Sequence, residues 1–215
     1  MAENRLYKIG LTHGDINGTG YEVIMKALAD PKMSEVCTSV IYGLAKVATY
    51  HRKTLDLPDF SIQFVKSLDQ VSLKKCNLIN LLDQEVKIAL GKETEVAGEL
   101  AQLSLAAACK DAKEKKIDAI VTAPVNFNIF PSENNRAYYA HIDYMSQYFS
   151  AKDCLQMLVS DRLKIGIAAS HLTISKVAEV LTQELLLQKI KIMNDSLSYD
   201  FGIMKPKIAV LAMHP

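Results

Sequence analysis

The chain lacks any surplus of charge. Its 25 lysines and arginines face 24 aspartates and glutamates, a net charge of +1 at pH 7, so no basic field steers nucleic acid or an anionic membrane toward it. The mixed run "KDAKEKK" (Lys110–Lys116) reads as the solvated end of a helix. Cysteine is sparse: Cys37, Cys76, Cys109 and Cys154 stand far apart, with no Cys-x-x-Cys pair. Cys37, Cys109 and Cys154 read as small core residues, which argues against a disulfide framework and for a reducing compartment. The opening "MAENRLYKIG" carries no apolar signal core, and no apolar run reaches membrane-spanning length. The expected location is the cytoplasm. Internal repeats and low-complexity tracts are absent as well.

What is present is a hydrophobic fraction of 49%, enough to bury a sizeable core, and an alternation of two periodicities. "LYKIGLT" (Leu6–Thr12), "TSVIYG" (Thr38–Gly43), "FSIQFVKS" (Phe60–Ser67), "CNLINLL" (Cys76–Leu82) and "DAIVTAP" (Asp118–Pro124) read as strands. Between them, Tyr21–Ala29, Leu44–Leu55 and a long stretch within Gly91–Lys116 show helical spacing. The first of these helices is expected to stop before Pro31. Strand–helix alternation predicts an α/β fold with a mostly parallel sheet. Further on, "CLQMLVS" (Cys154–Ser160) and "LKIGIAAS" (Leu163–Ser170) are separated only by Asp161 and Arg162, too little for a crossover helix, so they should pair antiparallel. One or two helices then fill Thr173–Gly202, and "KIAVLAM" (Lys207–Met213) is expected to be a last strand. The polar, aromatic stretch "NFNIFPSENNRAYY" (Asn126–Tyr139) reads as a linker or site loop. The expected domains are therefore 1–125 and 141–215, joined by a loop over 126–140.

Three places suit chemistry. In "THGDINGTGYE" (Thr12–Glu22), Gly14, Gly18 and Gly20 follow a strand and open a helix, a setting that aims backbone N–H groups at an anion. The glycines lack dinucleotide-binding spacing and no Walker lysine follows, so a tight structural turn and a ligand loop both stand. Asp15 and Glu22 are candidates for ligand contact or for capping. "TAP" (Thr122–Pro124) is either a site wall or a strand stop. Of the five histidines, His51 in "YHRK" is expected at the surface and His13 belongs to the glycine-rich turn. His141 opens a helix, while His171 and His214 follow strands. Neutral imidazoles past the strand ends of one sheet edge suit a metal, although a single histidine in such a place is more often a hydrogen-bonded structural one.

Five ordered blocks, "KIGLTHGDINGTGYEVIMKAL", "DAIVTAPVN", "HIDYM", "LKIGIAASHLTISKVAEVLT" and "KIAVLAMHP", resemble the 4-hydroxythreonine-4-phosphate dehydrogenase family of vitamin B6 biosynthesis across essentially the whole chain. The resemblance implies a fold like isocitrate and isopropylmalate dehydrogenases: two α/β domains around a cleft, the second incomplete here, in a homodimer. It also implies oxidation and decarboxylation of a small phosphorylated hydroxy-amino acid, with NAD or NADP and a divalent metal (zinc, magnesium or cobalt). His171 falls on a family metal ligand; His141 and Ile142 fall on substrate contacts. The family pattern at the latter is Gly-His-Thr-Glu, whereas this chain has Ala140-His141-Ile142-Asp143. Ile142 puts a branched apolar group where a hydroxyl donor is usual, and Phe127 stands where the family usually has lysine. Family members continue past the last strand with Asn-Pro-His, a second metal ligand; here Met213-His214-Pro215 comes last, with His214 a candidate replacement. Catalytic and cofactor-binding residues are left unassigned. Three expectations compete: a piece of a family enzyme, a degenerate relative that binds a phosphorylated ligand or a protein partner without catalysis, or a dehydrogenase for another four-carbon acid phosphate. The 215-residue chain is expected to show no NAD-dependent turnover and weak metal binding, and an incomplete sheet should leave an open edge or an exposed apolar face.

Overall fold

The computed structural model describes residues 6–132 and 137–211. The chain divides into two units, Met1–His141 and Ile142–Pro215. In the first, β1 (Tyr7–Thr12), β2 (Cys37–Gly43), β3 (Gln63–Val65), β4 (Cys76–Asn80) and β5 (Ala119–Thr122) form one sheet. Its order is β3-β4-β2-β1-β5, and every pairing is parallel. Every residue of β2 is buried, as expected of a central parallel strand covered on both faces.

The period of two then sorts side chains into two cores. Ile41 and Leu78 face one core, with Ile24 and Met25 of α1 (Gly20–Leu28) and Val47 and Ala48 of α3 (Ala45–Thr54). Val40, Tyr42 and Ile79 face the other, with Ala108 of α4 (Glu95–Lys113). The first turns of α4 reach back to the first core through Ala97 and Leu100.

The alternating pattern is realised as expected, with three local differences. Pro31 does not only end α1: it is the first residue of a short α2 (Pro31–Val36), and Asp30 caps it by accepting from Lys32 N at 2.9 Å. A proline's fixed φ suits a first helical turn, where its missing N–H has no partner to lose. β3 keeps only three residues of the apolar run Phe60–Ser67. His51, expected at the surface, is 5% exposed, because the helical period of α3 turns it inward beside Val47 and Ala48.

In the second unit, β6 (Gln156–Val159) and β7 (Lys164–Ile167) pair antiparallel, as the short gap between the two apolar runs predicts. α5 (His141–Tyr148) precedes them, and α6 (Ile174–Val180) and α7 (Gln183–Tyr199) follow. Thr182 caps α7 by accepting from Leu185 N at 3.2 Å. Met193 of α7 lies so near Gly166 that a Cβ there would meet its sulfur at 3.2 Å. Lys207–Leu211 forms no strand, because apolar composition alone makes no ladder: among the described residues β6 and β7 pair only with each other. Ala212–Pro215, including His214, lies outside the described residues. Among the described residues of this unit only Tyr144 and Leu197 are buried, while Leu158, Val159, Leu163 and Ile165 of the hairpin are exposed. No helix among the described residues is long and apolar enough to cross a membrane.

Candidate functional site

In the sheet order, β1 is followed on one side by β2 and on the other by β5. The chain's path thus reverses between β1 and β5, and the carboxyl ends of two such strands are where open α/β sheets hold ligands. Thr12–Gly20 and Thr122–Pro124, both singled out in the sequence, meet there.

They meet closely. Ala123 N–H donates to Thr12 O at 3.1 Å and Asp15 N–H to Pro124 O at 2.9 Å. Gly14 has φ +69°, and a Cβ on it would lie 2.2 Å from Pro124 O; at Gly20 a Cβ would lie 2.1 Å from His13 O. Those glycines are required by backbone packing, which favours the structural-turn reading over an anion cradle. Asp15 accepts the Asn17 N–H at 2.8 Å, turning its carboxylate onto its own loop. Glu22 pairs with Lys26 one turn along α1.

Asn17 is a hub that sequence reasoning missed. Its side-chain amide donates to Lys92 O and Thr94 Oγ1, each at 3.0 Å, and its Oδ1 accepts from Ala89 N at 2.8 Å. The loop before α4 is thereby pinned to the glycine-rich turn. Asn126 extends the same edge by donating to Glu93 Oε1 at 2.7 Å. A polar residue three per cent exposed is the signal, and no local pattern betrays it.

His141 stands at the first residue of α5, beside the site loop. The Phe127 ring meets its imidazole edge-on, with centroids 5.2 Å apart at 82°. Phe130 lies 5.3 Å from Phe127 and 5.9 Å from Tyr138, so the wall is aromatic. Burial pushes the His141 pKa down, against an opposing pull from the Ala123 backbone. Its Nε2 is buried with no hydrogen-bond partner. A neutral ring with an unused nitrogen at the switch-point loop is the polar atom most suited to receive a ligand. Ile142, next in sequence, is half-buried.

His171 is exposed, with φ +57°, a left-handed conformation uncommon for a residue with a Cβ. β7 stops at Ile167, so His171 lies in the β7–α6 loop and not directly on the strand end. Such strain clusters at functional positions. Among the described residues no group of three histidines, cysteines, aspartates or glutamates could hold a metal ion. One exposed imidazole is a single donor and falls short of the three that a catalytic site wants. A groove of about 720 Å³ lies elsewhere, at the opposite sheet edge, where Gln63 and Cys76 begin β3 and β4.

The family model for pyridoxal phosphate biosynthetic protein PdxA matches residues 35–215. The chain belongs to this family. It is similar to 4-hydroxythreonine-4-phosphate dehydrogenase of Bacteroides thetaiotaomicron, 38% identical over 217 residues that cover 100% of this chain and 58% of the relative. A relative in Clostridium botulinum, named as a D-threonate 4-phosphate dehydrogenase, is 26% identical over 96% of this chain and 62% of its own. In fold, the chain resembles the crystal structure of 4-hydroxythreonine-4-phosphate dehydrogenase from Klebsiella pneumoniae, with TM-score 0.78, 24% identity, and coverage of 94% of this chain and 62% of that one. The chain therefore spans about three fifths of the length of these family members. The α/β fold with its helix-flanked parallel sheet is a family property.

Proposed function

We propose that the chain serves the NAD- or NADP-dependent oxidation and decarboxylation of 4-phosphohydroxy-L-threonine in vitamin B6 biosynthesis. The family match over residues 35–215 carries this reading, and the unused Nε2 of His141 at the switch-point loop supports it. In this reading His141 and Ile142 contact substrate, and the bound nicotinamide supplies the hydride acceptor. His141 meets the substrate as a neutral ring, because burial holds its proton affinity down; Phe127 lies against that ring. His171 is one donor to a divalent cation, zinc, magnesium or cobalt. The described residues do not supply the rest of such a site. Two domains around a cleft, 1–125 and 141–215 with the loop 126–140 between them, a homodimer and a cytoplasmic location belong to the same proposal.

A second reading is a dehydrogenase for another four-carbon acid phosphate. Phe127 and Ile142 favour it, since an aromatic edge and a branched alkyl group make a less polar wall than the lysine and threonine usual in the family. The relative named for D-threonate 4-phosphate fits this reading. A third, a non-catalytic binder, predicts metal-independent binding without turnover. The test is an NMR titration of the full chain, following the His141 ring, with 4-phosphohydroxy-L-threonine and D-threonate 4-phosphate, with and without zinc and NAD. NADH formation is read in parallel. We expect one of the two ligands to shift His141 at least tenfold more tightly than the other, with binding lost in His141→Ala. If neither ligand moves His141, the site assignment fails.

A further inference from the structure

Three aromatic rings from three elements stack under the switch point: His13 from the β1–α1 turn, Tyr21 from α1 and His51 from α3. Centroids are 5.2 Å apart for His13–Tyr21 and 5.1 Å for Tyr21–His51, with interplanar angles of 10° and 16°. His13 and Tyr21 are fully buried and His51 nearly so. Both imidazoles hold the turn. His51 Nε2 bonds Ile16 O at 3.0 Å, and His13 Nδ1 bonds Gly14 O at 2.7 Å. Each bond uses the single N–H of a neutral ring. His13 Nε2 is buried with no hydrogen-bond partner.

We propose that the His13–Tyr21–His51 stack is an acid-released latch, in which proton uptake by the imidazoles frees the β1–α1 turn from Pro124 before the sheet unfolds. This goes beyond the proposed reaction and does not depend on it.

A cation on either ring would sit in a packed interior with little to balance it. From the turn, Asp15 is engaged with Asn17 N–H. From α4, the Leu100 backbone favours a proton on His13, while the Ser104 hydroxyl is taken up by the His13 backbone N–H at 3.2 Å. From α1, Glu22 favours charge on His51, but it also pairs with Lys26. From α3, Tyr50 meets His51 edge-on at 5.5 Å, and His51 opposes a charge on His13. Burial prevails: His13 is lowered from 6.5 to about 4, and His51 is lowered too. The sign follows from linkage. A depressed histidine favours the latched state fully above the free value of 6.5 and loses that contribution as pH falls toward 4. The His13 shift alone corresponds to about a 300-fold change in the latch equilibrium. β2, by contrast, holds its ladder with no titrating group other than the Cys37 thiol and the Tyr42 phenol, both pushed upward and neutral throughout this range.

Amide hydrogen exchange of the full chain between pH 7.5 and 4.5, corrected for intrinsic rates, tests this. Protection of the Asp15 and Asn17 amides should fall by one to two orders of magnitude as pH drops below about 6. The Val40–Tyr42 amides should stay protected. Ring titration of His13 by NMR should have its midpoint at about 4, below the pH at which turn protection begins to fall. His13→Asn and His51→Gln keep an N–H donor but cannot titrate, and the double variant should flatten the pH dependence. Turn amides as protected at pH 4.5 as at 7.5 overturn the latch, as does release that coincides with loss of β2 protection. A double variant that folds yet keeps the pH dependence overturns it too. Should the variant not fold, the His13 ring titration in the unaltered chain decides: a midpoint at or above the free value of 6.5 overturns the latch.

Discussion

Two glycines four residues apart in one turn provide a test of what that turn is for. Gly14 has φ +69°, and a Cβ there would lie 2.2 Å from Pro124 O and 3.0 Å from Ala123 C, both backbone atoms. Gly14→Ala therefore adds left-handed strain of about 1 kcal/mol and an overpacking penalty of about 2 kcal/mol. Relief of the clash would break the 2.9 Å bond from Asp15 N to Pro124 O. Gly18 lacks the positive φ, and its added Cβ would meet Asp15 at an ordinary 3.5 Å. Gly18→Ala should be neutral, or stabilising by about 0.5 kcal/mol through lost freedom of the unfolded chain. The two changes, each one methyl group, should thus differ by about 3 kcal/mol. With a slope of about 2 kcal/mol per molar urea, their unfolding midpoints should stand about 1.5 M apart. Tyrosine fluorescence reports the transition, since the chain has no tryptophan. Equal midpoints would refute the packing account. An anion cradle predicts a different pattern, in which Gly18→Ala leaves stability intact but weakens binding of inorganic phosphate.

Other perturbations probe the same edge and its surroundings. Ser104 donates to Tyr42 O at 2.6 Å and accepts from His13 N at 3.2 Å while fully buried; Ser104→Ala should lower stability by about 2 kcal/mol, read as a drop in Tm. His171→Gly removes an imidazole and a left-handed strain together, so thermal stability should hold within about 1 kcal/mol while zinc binding, followed by calorimetry, disappears. Retention of zinc affinity would remove His171 from the proposed donors. Phe127→Lys places an ammonium beside a buried imidazole, and the His141 titration should move further down. Affinity for a phosphorylated hydroxy acid should rise about fivefold, the effect of a partly exposed ion pair near 1 kcal/mol; unchanged affinity would separate position 127 from the anion.

The parallel sheet was legible because its information is local. β2 and β4 are short aliphatic runs between punctuating residues, and the helices between them repeat apolar positions at three and four. Where local signals conflict, the sequence underdetermines the result. Pro31 satisfies the rule for a helix stop and the rule for a helix start, and the Asp30 cap is what makes it the latter. Lys207–Leu211 has the composition of a strand, but strand formation depends on a neighbour's N–H and C=O groups, which no composition of its own can supply. The same dependence explains the thin interior of the second unit, where Leu158, Val159, Leu163 and Ile165 face outward from a two-stranded ribbon. Such a ribbon has two faces, and α7 packs against it at Gly166.

Site residues divide along the same line. Gly14 and Pro124 were visible as punctuation, yet their meaning is a backbone contact between positions 110 residues apart, and that contact turns an apparent phosphate loop into a sealed corner. His51 sat in a charged sequence context and still went inside, because the face of α3 it occupies is fixed by Val47 and Ala48 and its ring nitrogen finds the Ile16 carbonyl. Charge in neighbouring residues says little about a helical position when those neighbours point elsewhere by 100° per residue. Asn17 carried no chemical pattern at all, although it ties four backbone and side-chain groups around the corner. His141 shows the converse. Its place beside an irregular aromatic loop was readable, while its buried, unused nitrogen follows from Phe127 closing over it. A site residue is thus recognised in sequence by its type, and its chemistry is set by contacts that sequence spacing does not record.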